Sequence, residues 1–188
     1  MVQGDGHRVR LPLFGVYLAT YMPAFDFMII NEDSSRSWAE SVDNNGGGVI
    51  AGINEKTFPS QFAYIRSIFQ PNRGTAIAEF YQAQFWTPML LGGVENQDIA
   101  NRVLDAAVNM GPKTAVKMLQ SAFNLLPLGG LAVDGAIGPN TLAAVNGASS
   151  DALLAAFRQV RADRYRVIVA NNPFNEPYLN GWLKRAEA

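Results

Sequence analysis

Apolar residues recur along this chain with a helix's rhythm far more often than with a strand's alternation. Ile99, Val103, Ala106 and Met110 step by four, three and four, which draws one apolar stripe along a helix over 98–110. Asp98, Arg102, Asp105 and Asn109 follow the same rhythm on the adjacent line. That spacing predicts Asp105 paired with Arg102, and Asn109 bonded to backbone near the helix end. Gly111 stops this helix, and Pro112 suits the first turn of the next, which runs to about Phe123. The run A-F-D-F-M-I-I-N at 24–31 reads as a buried helix that starts after Pro23 and ends near Glu32. There D-S-S at 33–35 competes for backbone hydrogen bonds. Helical patterns also cover 61–69 and 75–85, with P-N-R-G at 71–74 between them. In the second, Ile77, Phe80, Tyr81 and Gln84 share a face that Trp86 closes before Pro88. Further helices are predicted over 140–146 and over 151–170, the latter with Leu154, Phe157, Tyr165 and Ile168 among its apolar positions.

The segment 36–51 breaks the rhythm. It holds Gly46, Gly47 and Gly48 in a row and reads as a loop or short hairpin. The expected fold class is therefore mainly α, with a small β-hairpin or loop. No repeat or low-complexity stretch is visible.

A chain of 188 residues, 48% of them apolar, fits one compact soluble domain, alone or with a small appendage. Fifteen basic against sixteen acidic residues argue against nucleic acid as a partner. With no cysteine and the single His7, disulfides, thiolate zinc sites and histidine-based triads are excluded. Catalysis must run on carboxylates, hydroxyls or backbone groups. Arg8 and Arg10 before the apolar 11–22 faintly resemble an export signal, but that run is short and contains Pro12. It also falls short of the roughly 20 residues that span a membrane. The expectation is an N-terminal extension over 1–23 that packs on the core, with no stable membrane insertion.

Several motifs then appear in order: Glu32, the glycine cluster at 46–48, G-I-N-E-K-T-F at 52–58, D-A-A-V-N-M-G-P-K-T-A at 105–115, L-Q at 119–120, V-D-G-A-I-G-P-N-T-L at 133–142 and G-W-L-K-R at 181–185. Together, over roughly 24–185, they resemble glycoside hydrolase family 108, the N-acetylmuramidases found among phage endolysins and secretion-associated lysozymes. The last third resembles the peptidoglycan-binding module that accompanies that catalytic region. The resemblance implies a lysozyme-like helical fold, with a catalytic region over 24–124 and a C-terminal region over 125–188 packed on it. It implies hydrolysis of the peptidoglycan glycan strand by a monomer that needs no metal or cofactor. Such a protein would be made in the cytoplasm, exported by a holin-type or dedicated route, and active in the periplasm or cell wall.

Within that frame Glu32 is the general acid. A proton donor near neutral pH wants apolar neighbours, and Phe27, Ile29 and Ile30 adjoin it, with Trp38 a loop away. The local pattern alone describes a solvated helix-end glutamate equally well. Asp43 is the candidate second carboxylate, with Glu40 behind it or a loop-held water in its place; a turn-forming role suits either acid as well. Trp38, Gly47, Tyr81, Asn109 and Gln120 are candidate substrate contacts, although aromatics at helical spacing usually form core. The glycines with Ala51 also fit a loose G-x-G-x-x-A dinucleotide pattern, but the polar, irregular residues before them are no strand. The cleft is expected between 32–53 and the helix at 98–110, and Trp182 is expected to anchor the C-terminal tail.

The chain also departs from the family's pattern. Asp33 and Ser34 stand where a Glu-Gly-Gly motif has its glycines. When the segment is anchored on Gly52 and Ile53, Val49 stands where the family has a threonine, and Asp43 falls one place early. These departures put the second group and the held water in doubt. Two other readings stay open: a catalytically weakened wall-binding or secretion-accessory protein, and a hydrolase of chitin or chitosan.

Overall fold

The computed structural model describes residues 9–10, 17–43 and 46–188. His7 and most of the expected N-terminal extension lie outside them. Two short strands, β1 (Val9–Arg10) and β2 (Tyr17–Leu18), pair antiparallel. Behind them the Ala19 amide donates to the Val94 carbonyl, and Thr20 is held by Gln97. Helix α1 (Tyr21–Glu32) follows, starting two residues before Pro23 rather than after it. A three-stranded antiparallel sheet comes next: β3 (Glu40–Val42), β4 (Gly48–Ile50) and β5 (Ile53–Asn54), in that spatial order. The third strand is the part of this small β element that the sequence pattern did not predict.

Helices α2 (Pro59–Ser67) and α3 (Gly74–Tyr81) stand where the pattern predicts them. The end of the second departs. Gln82–Trp86 forms a π-helical turn, which widens the spiral by one residue. Trp86 is buried as expected, but Phe85 takes the buried place expected for Gln84, which is exposed.

Helices α4 (Gln97–Met110) and α5 (Pro112–Asn124) form the centre. Asn96 caps α4 by accepting from the Ile99 amide, a bond typically worth about 1 kcal/mol. Gly111 ends it with φ +87°, which favours glycine. Helix α4 packs on both α1 and α5, so it is buried without a break from Ile99 to Ala107. Ala100, Ala106 and Ala107 let the neighbouring backbones approach closely.

Helices α6 (Pro139–Gly147), α7 (Ser150–Asn171) and α8 (Glu176–Glu187) complete the chain. Along α7 the fully buried row is Leu153, Phe157, Arg161 and Tyr165, one residue every four; Leu154 and Ile168 are only half-buried. A charge therefore sits in the middle of a core row. Helix α8 packs on α7, and Trp182 stacks between Tyr165 and Tyr178 at 5.2 and 5.9 Å. Trp182 anchors the tail as expected, within a full helix. Among the described residues no helix is long and apolar enough to cross a membrane.

Candidate active site

Glu32 is the last residue of α1. Its carboxylate meets a two-residue turn, Ala51 and Gly52, that joins β4 to β5 with Ile50 opposite Ile53. Both turn residues have positive φ, +47° and +80°, as the tightest β-hairpins require. For Ala51 this conformation is unfavourable. It is held because the Tyr81 hydroxyl donates to the Ala51 carbonyl at 2.7 Å. A Cβ on Gly52 would lie 2.5 Å from Glu32 Oε2 and 2.8 Å from the Tyr81 oxygen, so only glycine fits. A cleft of about 200 Å³ opens here, lined by Glu32, Asp33, Ser37, Ser41, Val49 and Gly52 together with Ala39 and Ala51.

The loop after α1 forms the other lip. Asp33 accepts from the Trp38 amide (2.8 Å), the Ser37 amide (3.3 Å) and the Ser35 hydroxyl (2.8 Å). Partial burial pushes the Asp33 pKa up, but these hydrogen bonds outweigh it and leave the group below its ordinary value. Arg36 and Trp38 both adopt positive φ in this loop. Strained backbone on both lips, pinned by specific hydrogen bonds, is a usual companion of a functional site.

Beneath the cleft lies a buried charge network. Arg185 of α8 donates through Nη2 to Glu32 Oε1 at 2.7 Å and to Asp105 Oδ1 at 2.7 Å, and through Nε to both Asp105 oxygens. Asp105 is 0% exposed and also accepts from Asn31 of α1. Arg161 of α7 stands 2.7 Å from its other oxygen, out of line for a hydrogen bond. Burial works against the Arg185 charge, but Asp105 and Glu32 more than compensate and raise its pKa above the usual value. The expected Asp105–Arg102 pair does not form. Arg102 instead approaches Asp98, one turn away, at 3.8 Å, because Asp105 turns toward α7 and α8.

The apolar residues next to Glu32 in sequence do not surround its carboxylate; Ala39, Val49 and Ala51 line the cleft with it instead. Phe27 lies under the Arg102 guanidinium, Ile29 is in the core and Ile30 is exposed. Helix position explains this: consecutive residues at the end of α1 point in different directions. The helix at 98–110 is not a wall of the cleft either; it holds Glu32 from below through Asp105.

The other predicted residues are dispersed. Tyr81 sits directly under the Ala51–Gly52 turn but is fully buried, and desolvation first, then the Glu32 charge, raises its pKa well above the ordinary value. It supports the turn and offers no stacking face. Trp38 packs its indole on Gly74 and does not line the cleft. Asp43 accepts from the Gly47 amide and from Asn54 across the sheet, which makes it the organiser of the hairpin turn. Gly47 belongs to that turn, and Glu40 pairs with Arg66. Asn109 accepts from the Tyr165 hydroxyl rather than from backbone. Gln120 is buried under the D-G-A-I-G-P turn, accepting from the Gly135 amide and donating to Asp134 and the Ala136 carbonyl. Of the predicted set, only Glu32 lines the cleft and only Tyr81 lies against it.

Asp33, Ser37, Ser41 and Gly52 at the cleft, and Arg185 beneath it, were missed as site residues. Gly52 and Arg185 lay inside quoted motifs and could have been flagged. Nothing local signals that Arg185 meets a residue 153 positions earlier. Larger hollows lie elsewhere. One of about 380 Å³ is lined by Gln82, Trp86, Thr87 and Leu142 among others and has no group that titrates near neutrality. Another, of about 470 Å³, contains Asp134, whose carboxylate is already bound within its turn.

A mainly α scaffold whose first long helix ends on Glu32, facing a tight hairpin of a small antiparallel sheet, is the arrangement of a lysozyme-like fold. Residues 32–111 match the family model Glycosyl hydrolase 108, and residues 114–187 match the Predicted Peptidoglycan domain. The two matches follow one another along the chain in the order that the motifs implied. One match ends at Gly111 and the other begins at Thr114, and α4 and α5 pack together across that place. Among solved structures, the chain is similar to one described as the structure of Brucella abortus SagA, with a TM-score of 0.67, 21% identity and 89% of each chain covered. No curated protein matches the chain significantly. These matches support a glycoside hydrolase acting on peptidoglycan.

Proposed function

We propose that this protein is an N-acetylmuramidase that cleaves the glycan strand of bacterial peptidoglycan, with Glu32 as general acid. The observation that carries this reading is the Glu32 carboxylate at the cleft floor. Arg185 takes one of its oxygens, and the other lies against a glycine turn that leaves room for a sugar. Glu32 gives its proton to the glycosidic oxygen as the bond to the anomeric carbon breaks. Water adds to that carbon, and in net terms its proton replaces the one Glu32 gave up.

Asp43 is committed to its turn, so it is a poor second catalytic group. The water is better placed by the cleft hydroxyls of Ser37 and Ser41, whose oxygens can accept from it. Ser41 lies opposite Val49, the residue in the family's threonine position. The protein would act as a monomer at the cell wall, reached by export.

Glu32→Gln tests the mechanism. Glutamine keeps the size of the side chain but cannot deliver the proton. General acid help is typically worth about 10²–10⁴-fold. Clearance of purified sacculi should therefore fall at least about a hundredfold, with the melting transition retained. Near-wild-type clearance by that variant would rule the mechanism out. A second reading, a wall-binding protein with weakened catalysis, draws on Val49 at the threonine position and on the commitment of Asp43 to its turn. It predicts that the wild-type protein sediments with sacculi but releases no reducing ends.

A further inference from the structure

The two family matches divide the chain into a hydrolase part, which begins at Glu32, and a peptidoglycan domain, which ends just past Arg185. The structure joins those two residues by a 2.7 Å ion pair. We infer that Arg185 is a positioning residue for Glu32, so that the C-terminal domain completes the active site as well as attaching to the wall. This rests on the reading of Glu32 as the acid.

The geometry favours this role over that of an incidental surface pair. Exposed ion pairs contribute little and wander, but these side chains are only 13% and 17% exposed. Arg185 is itself fixed by Asp105, which is fully buried and tied to α1 through Asn31 and to α7 through Arg161. Four helices thus converge on the Asp105 carboxylate, which in turn fixes the Arg185 guanidinium. The planar fork of arginine lets Nε and Nη2 address Asp105 while Nη2 also reaches Glu32, which a lysine's point charge cannot match. With Oε1 held by Arg185, the rotamer of Glu32 is set and Oε2 is the oxygen on the Gly52 side. A catalytic carboxyl left to rotate at a helix end would lose that alignment, and misplacement by about 1 Å can cost on the order of a hundredfold in rate.

The test uses the full-length protein and soluble, uncrosslinked glycan strands prepared from peptidoglycan. Arg185→Lys, Arg185→Ala and Glu32→Gln are compared for melting temperature, kcat and KM, with and without guanidinium chloride at tens of millimolar. Arg185→Lys should stay folded and lose roughly tenfold or more in kcat, with KM little changed. Added guanidinium should restore part of the rate to Arg185→Ala and nothing to Glu32→Gln. A merely structural arginine would lower the melting temperature without these two effects. If Arg185→Ala does not fold, Arg185→Lys decides alone: wild-type kcat in that protein overturns the inference, and reduced kcat at constant KM supports it. Loss confined to KM, or a folded Arg185→Ala that guanidinium does not improve, overturns it too. Full activity in Glu32→Gln would instead overturn the acid assignment, and this inference with it.

Discussion

Two glycine-bearing turns in this protein each lie beside an aspartate held below its usual pKa, yet one belongs to the cleft and the other does not. At 134–139 the polar groups bond to one another and to Gln120. The Asp134 carboxylate accepts from the Ala136 amide and from Gln120, and Gln120 accepts from the Gly135 amide. At 51–52 the turn presents its glycine to a carboxylate that still faces open space. The first arrangement satisfies its own hydrogen bonds and makes a stable corner. The second keeps a non-glycine residue, Ala51, at positive φ and leaves an acid oxygen toward a cleft. Composition does not separate a structural turn from a functional one; the direction of the polar atoms does.

The largest effect should come from paired glycine substitutions. In Gly52→Ala the new Cβ meets Glu32 Oε2 at 2.5 Å. The Glu32 carboxylate and the buried Tyr81 hydroxyl must both give way at a positive φ, so lysis of sacculi per folded molecule should fall by about a hundredfold with a loss of about 1–3 kcal/mol of stability. In Gly135→Ala, also at positive φ, the Cβ meets the Lys113 side chain and its backbone oxygen. That variant should lose about 1–3 kcal/mol of stability and keep its specific activity. Equal loss of activity in both would erase the distinction drawn between the turns.

Gln120→Ala sharpens the same contrast. It strands the half-buried Gly135 amide and leaves the Ala136 carbonyl to Thr141 alone, a loss of about 1–3 kcal/mol, measurable by denaturant unfolding. Activity per folded molecule should not change. A drop in lysis with stability intact would return Gln120 to the substrate contacts.

Why the sequence misled on Gln120, and not on the helices, has a physical answer. The 3.6-residue rhythm is local, so α4, α5 and α7 were legible to within a residue or two at each end. The end of α1 at Glu32 was legible because D-S-S follows it. The bonds of Asp105 and Gln120 depend on residues from 14 to 80 positions away, which no local period encodes. The π-turn at 82–86 misled for a related reason: one added residue rotates everything after it.

Acid should loosen both turns' aspartates in the same direction. Trp38 and serine hydrogen bonds overcome burial to lower the Asp33 pKa, and the Ala136 amide foremost lowers that of Asp134. A carboxylate with a depressed folded pKa stabilises fully above its unfolded value, near 3.8 here. It loses that contribution as pH falls through the lower folded value. Amide exchange at Trp38 and Ala136 should therefore quicken below about pH 4, and Asp33→Asn and Asp134→Asn should each remove the response at their own turn only.

The smallest effect is expected from Asp43→Asn, which the sequence pattern placed second only to Glu32. An asparagine oxygen can still accept from the Gly47 amide, so the turn should survive with only the contact to Asn54 altered. A second catalytic carboxylate would cost on the order of a hundredfold when neutralised. A turn former should cost less than about tenfold in lysis. Side-by-side clearance assays of Asp43→Asn and Glu32→Gln, at matched folded concentration, separate these outcomes. A hundredfold loss in Asp43→Asn would mean that the hairpin swings Asp43 to the substrate, which would make the hairpin turn a functional one after all.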